Sequence, residues 1–446
     1  MYEDIIKLAN NLENKLINYR RDFHKYAETG WLELRTASII ARRLTELGYE
    51  VLVGEDVCQS DSRMGLPDKD ILDKNFARAK EQGADLEFLE KVKNGYTGVI
   101  GILNNCDDSV VYNGDGPVVA MRFDIDALGV IEDCSVKHFP TSEGFSSINE
   151  GFMHACGHDG HATIGLGVAE VLMNIKDKLR GKVKLIFQPA EEGVRGAKSI
   201  VDKGHLDDVN YLLGAHISNN SNSNADLCPG ACDALATTKL DVYYHGVSAH
   251  AGGSPEKGKN VMLSAATAIL NLYAIPRNSK GATRINVGTI NAGTGRNVIA
   301  DIAKLEVEIR GETTEINQYM EDYAIKILEA AALMHGTTVE IKKMGGAYSL
   351  TSDKSLMDRV RRVCKENLSE IKVTNFDTAS LGGSEDFSYM MKRVQDNGGE
   401  ATFMMAMTEV YAPAHNRLFD FNEKVLVNAV KVFSAVTYDI LKYLEE

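Results

Sequence analysis

Three apolar runs in the first half of the chain each stop on side chains capable of chemistry: PVVAMRFDID (117–126), GKVKLIFQPAEEG (181–193) and NYLLGAHI (210–217). Runs of this length, bounded by turn residues and alternating with helix-period segments such as ATIGLGVAEVLMNI, read as buried strands of an α/β sheet. Ligands collect at strand ends in such sheets. Asp124, Asp126, Glu191, Glu192 and His216 therefore all fall where a site is expected. The stretch MHACGHDGHA (153–162) joins them on the loop that leads into the helix.

At 446 residues the chain is too long for one ordinary core, and two domains are expected. From residue 5 to 48 the apolar positions recur at helical spacing, with Gly48 ending a helix before a strand begins. Residues 54–95 are charged and turn-rich, helical in their second half, and read as an insertion packed on the surface. The polar bridge SNNSNSNADLCPGAC (218–232) marks a boundary. Beyond it come the alternation TTKLDVYYHG, a long helix, two strands, a second helix and TTVEIKKMG. This β-α-β-β-α-β order predicts a small ferredoxin-like α+β domain over 233–345, with one sheet face open for pairing with another chain. The fold expected is thus α/β. Residues 1–232 and 346–446 form a large catalytic domain with a central mixed sheet flanked by helices, and the inserted domain serves as lid and dimerisation surface.

A formal net charge of −14 argues against a phosphate backbone as partner, so no nucleic acid is expected. Seven cysteines, at Cys58, Cys106, Cys134, Cys156, Cys228, Cys232 and Cys364, do not read as a disulfide framework and fit a reducing cytoplasm. The N-terminus lacks the pattern of a signal peptide, and no stretch approaches the ~20 apolar residues of a membrane span. The reading is a soluble cytoplasmic protein without a membrane partner.

Metal sites need deprotonatable nitrogen, sulfur and oxygen donors brought together, and His158, Glu191, Glu192 and His216 converge in that way. Cys156 has three readings: a small buried hydrophobe, a redox thiol, or a thiolate held by metal. Histidines within two residues on either side favour the last. Hydrolysis at a metal needs one carboxylate to bind and one to move a proton. Glu191 and Glu192 can divide those tasks, in either assignment.

The segments MHACGHDGH, FQPAEEG, GAH, HGVSAHAG, GRNVIAD, GGSEDF and APAHN stand in the order found in the dinuclear-metal amidohydrolases, the superfamily of aminoacylase, hippurate hydrolase and carboxypeptidase G. The chain resembles that superfamily over nearly its whole length. RRDFHKYAETGW, SRMGLPD, ATTK and GTGRN resemble most closely the branch that cleaves p-aminobenzoyl-glutamate. The resemblance implies two divalent ions, manganese or zinc, bridged by Cys156 and bound by His158, Glu192, His216 and His415. It makes Glu191 the general base and sets Asp126 behind a ligand. It also implies that His250 polarises the scissile carbonyl, often from a partner's small domain, and that Asn297 and Arg310 hold the substrate carboxylate. Arg195 and Arg296 are further candidates for a second carboxylate.

Two departures from the superfamily pattern, Ala27 and Ala300 where proline is usual, touch backbone rigidity and remove no ligand. The activity implied is hydrolysis of an N-acyl amino acid, p-aminobenzoyl-glutamate giving p-aminobenzoate and glutamate, by a homodimer or a heterodimer with a homologous subunit. The alternatives are a related amidohydrolase for hippurate-like or N-acetyl substrates, or a metal-free binding subunit, against which the intact ligand set argues.

Overall fold

The computed structural model describes residues 1–105, 116–220 and 224–442; Cys106 and positions 221–223 of the polar bridge lie outside the described residues. In chain order its strands are β1 (Glu50–Val53), β2 (Val99–Asn105), β3 (Val118–Asp124), β4 (Gly181–Gln188), β5 (Tyr211–Asn219), β6 (Leu227–Cys228) and β7 (Gly230–Cys232). They continue with β8 (Ala236–His245), β9 (Thr283–Ala292), β10 (Ile302–Gly311), β11 (Thr338–Ala347), β12 (Thr378–Ser380) and β13 (Glu400–Thr408).

Two compact units divide the chain: Met1–Cys232 with Thr351–Leu381 and Tyr389–Glu446, and Asp233–Leu350 with Gly382–Ser388. The second unit runs past residue 345 because β11 carries the chain to Ala347. It also recruits the GGSED segment, where Gly383 O accepts the N–H of Leu235 (3.1 Å) and Ser384 Oγ donates to Leu235 O (2.7 Å).

The first unit is built on a mixed seven-stranded sheet ordered β1-β2-β4-β3-β5-β13-β6. Strands β4, β3, β5 and β13 run parallel, while β1, β2 and β6 pair antiparallel. Parallel alignment brings the carboxyl ends of β3, β4 and β5 to one edge, with Asp124 opposite Gln188 and Arg122 opposite Gly214. Such strands are covered on both faces and need continuous apolar sequence; β3 is buried at every position. Strand β5 does not end on His216 as the sequence suggests. It continues to Asn219, because parallel pairing with β13 sets His216 opposite Met405 and extends beyond it.

Helix His158–Asn174 seats directly on this sheet. A Cβ at Gly165 would lie 2.6 Å from Phe187 and 2.7 Å from Phe123, so the glycine permits the close approach. Filling that contact with alanine would cost about 1–3 kcal/mol by overpacking. The insertion is anchored rather than merely superficial: helices Lys69–Glu81 and Leu86–Lys91 bury Ala79, Phe88 and Leu89 in the main core. Helix Leu34–Leu47 stops on Gly48, whose φ of +94° is left-handed, and β1 follows.

The second unit is an antiparallel sheet ordered β11-β8-β10-β9. Helices Val261–Tyr273 and Thr314–Met334 pack with it around Val242, Tyr244, Ala265, Leu305 and Leu328. Alternation along β10 buries Ala303, Leu305, Val307 and Ile309 and leaves Glu308 and Arg310 partly exposed on the other face. Among the described residues no helix is long and apolar enough to cross a membrane.

Candidate metal centre

The turn after β4 is the most constrained backbone at the sheet edge. Ala190 (φ +51°), Gly193 (+86°) and Val194 (+59°) are all left-handed, and a Cβ at Gly196 would lie 1.7 Å from Pro189 O. Non-glycine residues take that conformation only where their surroundings impose it. Asp126, buried just beyond β3, imposes part of it: Oδ1 accepts the N–H of Glu191 (3.1 Å) and Oδ2 that of Glu192 (2.9 Å). The two glutamates then diverge. Glu191 Oε2 lies 3.9 Å from His158 Nε2, and Glu192 Oε1 lies 3.5 Å from His415 Nε2.

Hydrogen bonds also orient the imidazoles. His158 Nδ1 meets Asp126 Oδ1 at 3.2 Å, which directs Nε2 into the centre; that buried nitrogen has no hydrogen-bond partner among the described residues. His216 Nδ1 donates to Ile217 O (2.7 Å), so its Nε2 presents a lone pair 3.4 Å from Cys156 Sγ. His415, at a left-handed φ of +65°, donates its N–H to Ala155 O (2.7 Å) and so ties its loop to the Cys156 segment. A second bond that leaves Nε2 facing inward is the usual arrangement of a metal-binding histidine.

Donor atoms of Cys156, His158 and His216 all lie within 4.8 Å of one another, as do those of Cys156, Glu192 and His415. A third group, His158 with Glu191 and Glu192, overlaps both. Burial, then the charge of Glu192, pushes the Cys156 thiol up to about 12, so a thiolate there at neutral pH calls for a cation beside it. Burial, with the charges of His161 and His158, lowers His216 to about 3, which leaves its ring neutral. The donors, one sulfur, three imidazoles and one carboxylate, suit zinc or manganese. The orphaned His158 nitrogen and the inward lone pair of His216 fit such ions.

Two other histidines of the motif have other ties, although the donor atoms of His161 also lie within 4.8 Å of those of His158 and Asp124. Both nitrogens of His161 are occupied, Nδ1 by Asp124 and Nε2 by the N–H of Ile217 (2.9 Å). His154 is buried, and burial lowers it to about 4. Asp124 pairs with Arg122 at 2.6 Å.

In the second unit, exposed His250 accepts the N–H groups of Gly252 (3.1 Å) and Gly253 (2.9 Å) at Nδ1, which leaves its proton on Nε2. Asn297 is its neighbour, since Asn297 O accepts the N–H of Ala251 (3.0 Å) and Val298 bridges to His250. Arg310 does not join them. It is the next-to-last residue of β10, and at about 3.3 Å per residue the strand from Ile302 to Arg310 spans roughly 26 Å, while Asn297 precedes the strand's other end. Arg310 Nη2 instead meets Glu308 (2.9 Å). Arg195, in the first unit, donates Nε to Glu192 O (2.9 Å) and Nη1 to Gly65 O (3.2 Å). It braces the turn against the insertion, a use that the sequence does not suggest. Arg296 is exposed.

Sequence reasoning misses the buried network behind the ligands. Arg20, fully buried, meets Asp159 (2.9 Å) and Asp420, and so links the start of the His158 helix to the segment after His415. His24 joins Asp159 (2.8 Å) to Glu132 (3.0 Å). One signal was available: in helix Glu13–Lys25, Arg20 and His24 are buried together with Leu16 and Phe23, on the face that helical spacing assigns to the core.

The profile of the peptidase family M20/M25/M40 matches residues 120–439. The chain is 44% identical to an indole-3-acetyl-aspartic acid hydrolase of Enterobacter agglomerans, over 94% of each chain. It is 43% identical to one of the subunits of the p-aminobenzoyl-glutamate hydrolase of Escherichia coli K12, over 97% of each chain. Among solved structures, an aminobenzoyl-glutamate utilization protein from Klebsiella pneumoniae superposes with a TM-score of 0.80 at 38% identity, covering 97% of both chains.

Proposed function

The chain belongs to the peptidase family M20/M25/M40, and on that premise we propose that it hydrolyses the amide between an aromatic acyl group and an acidic amino acid, with p-aminobenzoyl-glutamate as substrate. Two relatives named for amides of aspartate and glutamate support the acidic leaving group. The observation that carries the hydrolytic reading is the pair of donor groups sharing Cys156, with Glu191 beside them. Cys156, His158 and His216 would hold one ion, and Cys156, Glu192 and His415 the other. When bound, zinc or manganese would supply a water of lowered pKa and a polarised carbonyl.

Glu191 is the general base. It ligates neither ion, takes a proton from the attacking water and returns it to the leaving nitrogen. His250, with its proton on Nε2, donates to the carbonyl oxygen as charge develops there. Asn297 and Arg310 bind the α-carboxylate, the guanidinium in bidentate fashion. Their separation along β10 supports a working dimer in which His250 and Asn297 come from one copy and Arg310 from the other. The partner is a second copy of this chain or a homologous subunit. Seven cysteines scattered without the spacing of a disulfide framework support a reducing cytoplasm.

A substrate panel tests the reading. Purified protein supplied with zinc or manganese is compared on p-aminobenzoyl-glutamate, indole-3-acetyl-aspartate, hippurate and N-acetyl-glutamate. The value of kcat/KM for p-aminobenzoyl-glutamate is expected to exceed that for hippurate by at least ~10-fold, since hippurate lacks the second carboxylate. A preference for indole-3-acetyl-aspartate, the amide for which the 44% identical relative is named, would reassign the acyl group. Equal turnover of hippurate would overturn the acidic specificity.

A further inference from the structure

Glu33 is fully buried and forms no ion pair among the described residues. Burial of an unpaired carboxylate is unfavourable, and a fold that keeps one has a use for it. Helix capping is not that use. Glu33 directly precedes helix Leu34–Leu47, but the first N–H groups of that helix go to Glu28, whose Oε1 accepts from Arg35 (3.2 Å) and Oε2 from Thr36 (2.9 Å).

Glu33 Oε1 instead accepts the N–H of Ala190 at 2.8 Å, across the core, while Oε2 accepts the hydroxyl of Thr97 at 2.6 Å. Ala190 is the first left-handed residue of the turn, and the N–H groups of the next two residues go to Asp126. Three successive amides, 190 to 192, are thus held by two buried carboxylates. Burial, then repulsion from Asp126, raises Glu33 to about 8. Asp126 is shared with His158, whereas Glu33 is divided between the turn and Thr97.

We propose that Glu33 is a positioning residue for the Glu191–Glu192 turn, acting through the Ala190 N–H. The peptide between Ala190 and Glu191 sets the direction in which the Glu191 side chain leaves the backbone. Glu33, with one oxygen locked by Thr97 and the other on the Ala190 N–H, pins the preceding peptide, Pro189–Ala190, so that Ala190 is held left-handed between that peptide and the Asp126-bound peptide that follows it. This assignment rests on Glu191 as base and Glu192 as ligand, so its test includes measurements that do not depend on turnover.

Three variants are compared: Glu33→Ala, Glu33→Gln and Thr97→Val. Glutamine keeps an oxygen for Ala190 and offers its amide to Thr97 Oγ1, so it should behave like the parent. In metal-free Glu33→Ala, amide hydrogen exchange over residues 190–194 should quicken at least ~10-fold while distant core peptides are unchanged. The visible spectrum of the cobalt-loaded protein should shift as Glu192 is misdirected. The kcat on p-aminobenzoyl-glutamate should fall ~10–100-fold with little change in KM, the scale expected when a reacting group is displaced by a fraction of an ångström. Thr97→Val should move all three readouts in the same direction, by less.

Parental exchange and cobalt spectrum in a folded Glu33→Ala protein would overturn the assignment. So would Glu33→Gln as damaged as alanine, because charge rather than the Ala190 contact would then be at issue. If the alanine variant does not fold, the same readouts on Thr97→Val decide, with parental values overturning the proposal. Failure of the parent on the substrate would count against the function proposed above, and exchange and cobalt spectra would still judge Glu33.

Discussion

Asp126 Oδ1 lies 3.2 Å from Nδ1 of His158, and the contact turns the opposite ring nitrogen toward Cys156 and the two glutamates. Loss of such an orienting carboxylate lowers metal affinity by about 10–100-fold in comparable sites. Asp126→Ala should show that loss in zinc or cobalt titrations against a competing chelator. Unchanged affinity would mean that the His158 ring is oriented by packing alone.

Glu191 and Glu192 should separate chemistry from binding. Glu191→Gln is expected to retain both ions by elemental analysis and to lose at least ~100-fold in kcat, the scale of missing acid–base assistance. Glu192→Gln should lose metal. The opposite pattern would exchange their roles.

The distance between Asn297 and Arg310 leads to a mixing experiment. His250→Ala and Arg310→Ala should each be nearly inactive alone. A mixed dimer would restore one native site, so random exchange of subunits should recover about one quarter of parental activity. Subunit exchange without recovery would place the whole site in a single chain.

The buried network has a calculable pH dependence. Burial opposes charge on His24, but its bonds to Asp159 and Glu132 lift it to about 9; burial likewise opposes charge on Glu132, which bonds from His138 and His24 bring down to about 2. The raised histidine contributes fully below its unfolded value of about 6.5 and loses that contribution as pH rises through 9. The depressed carboxylate contributes fully above its unfolded value of about 4.3 and loses that as pH falls through 2. His24→Gln should therefore lower Tm most near pH 6 and least near pH 10, measured by calorimetry with chelator present. A pH-independent difference over that range would show that His24 is neutral in the native state.

Much of the fold was legible because its signals are local. The continuous apolar run of β3, the glycine stop at Gly48 and the alternation of β10 each follow from a backbone period and the side chains on it. Candidate donors were legible for the same reason, since Cys156, His158 and the Glu191–Glu192 pair sit within short motifs at strand ends. The insertion reads as a surface feature in the sequence because Ala79 and Phe88 find their core partners only when the chain has folded.

By itself the sequence determined which elements form and which side chains could serve as ligands, since both depend on residues a few positions apart. Only the tertiary structure decided that Glu33 grips Ala190, that Arg195 braces the turn through main-chain carbonyls, and that Arg310 stands at the far end of β10 from Asn297. Those relationships join segments up to 157 positions apart. They depend on the register in which strands pair and on how closely a helix seats on its sheet, and the packing of the whole core sets both.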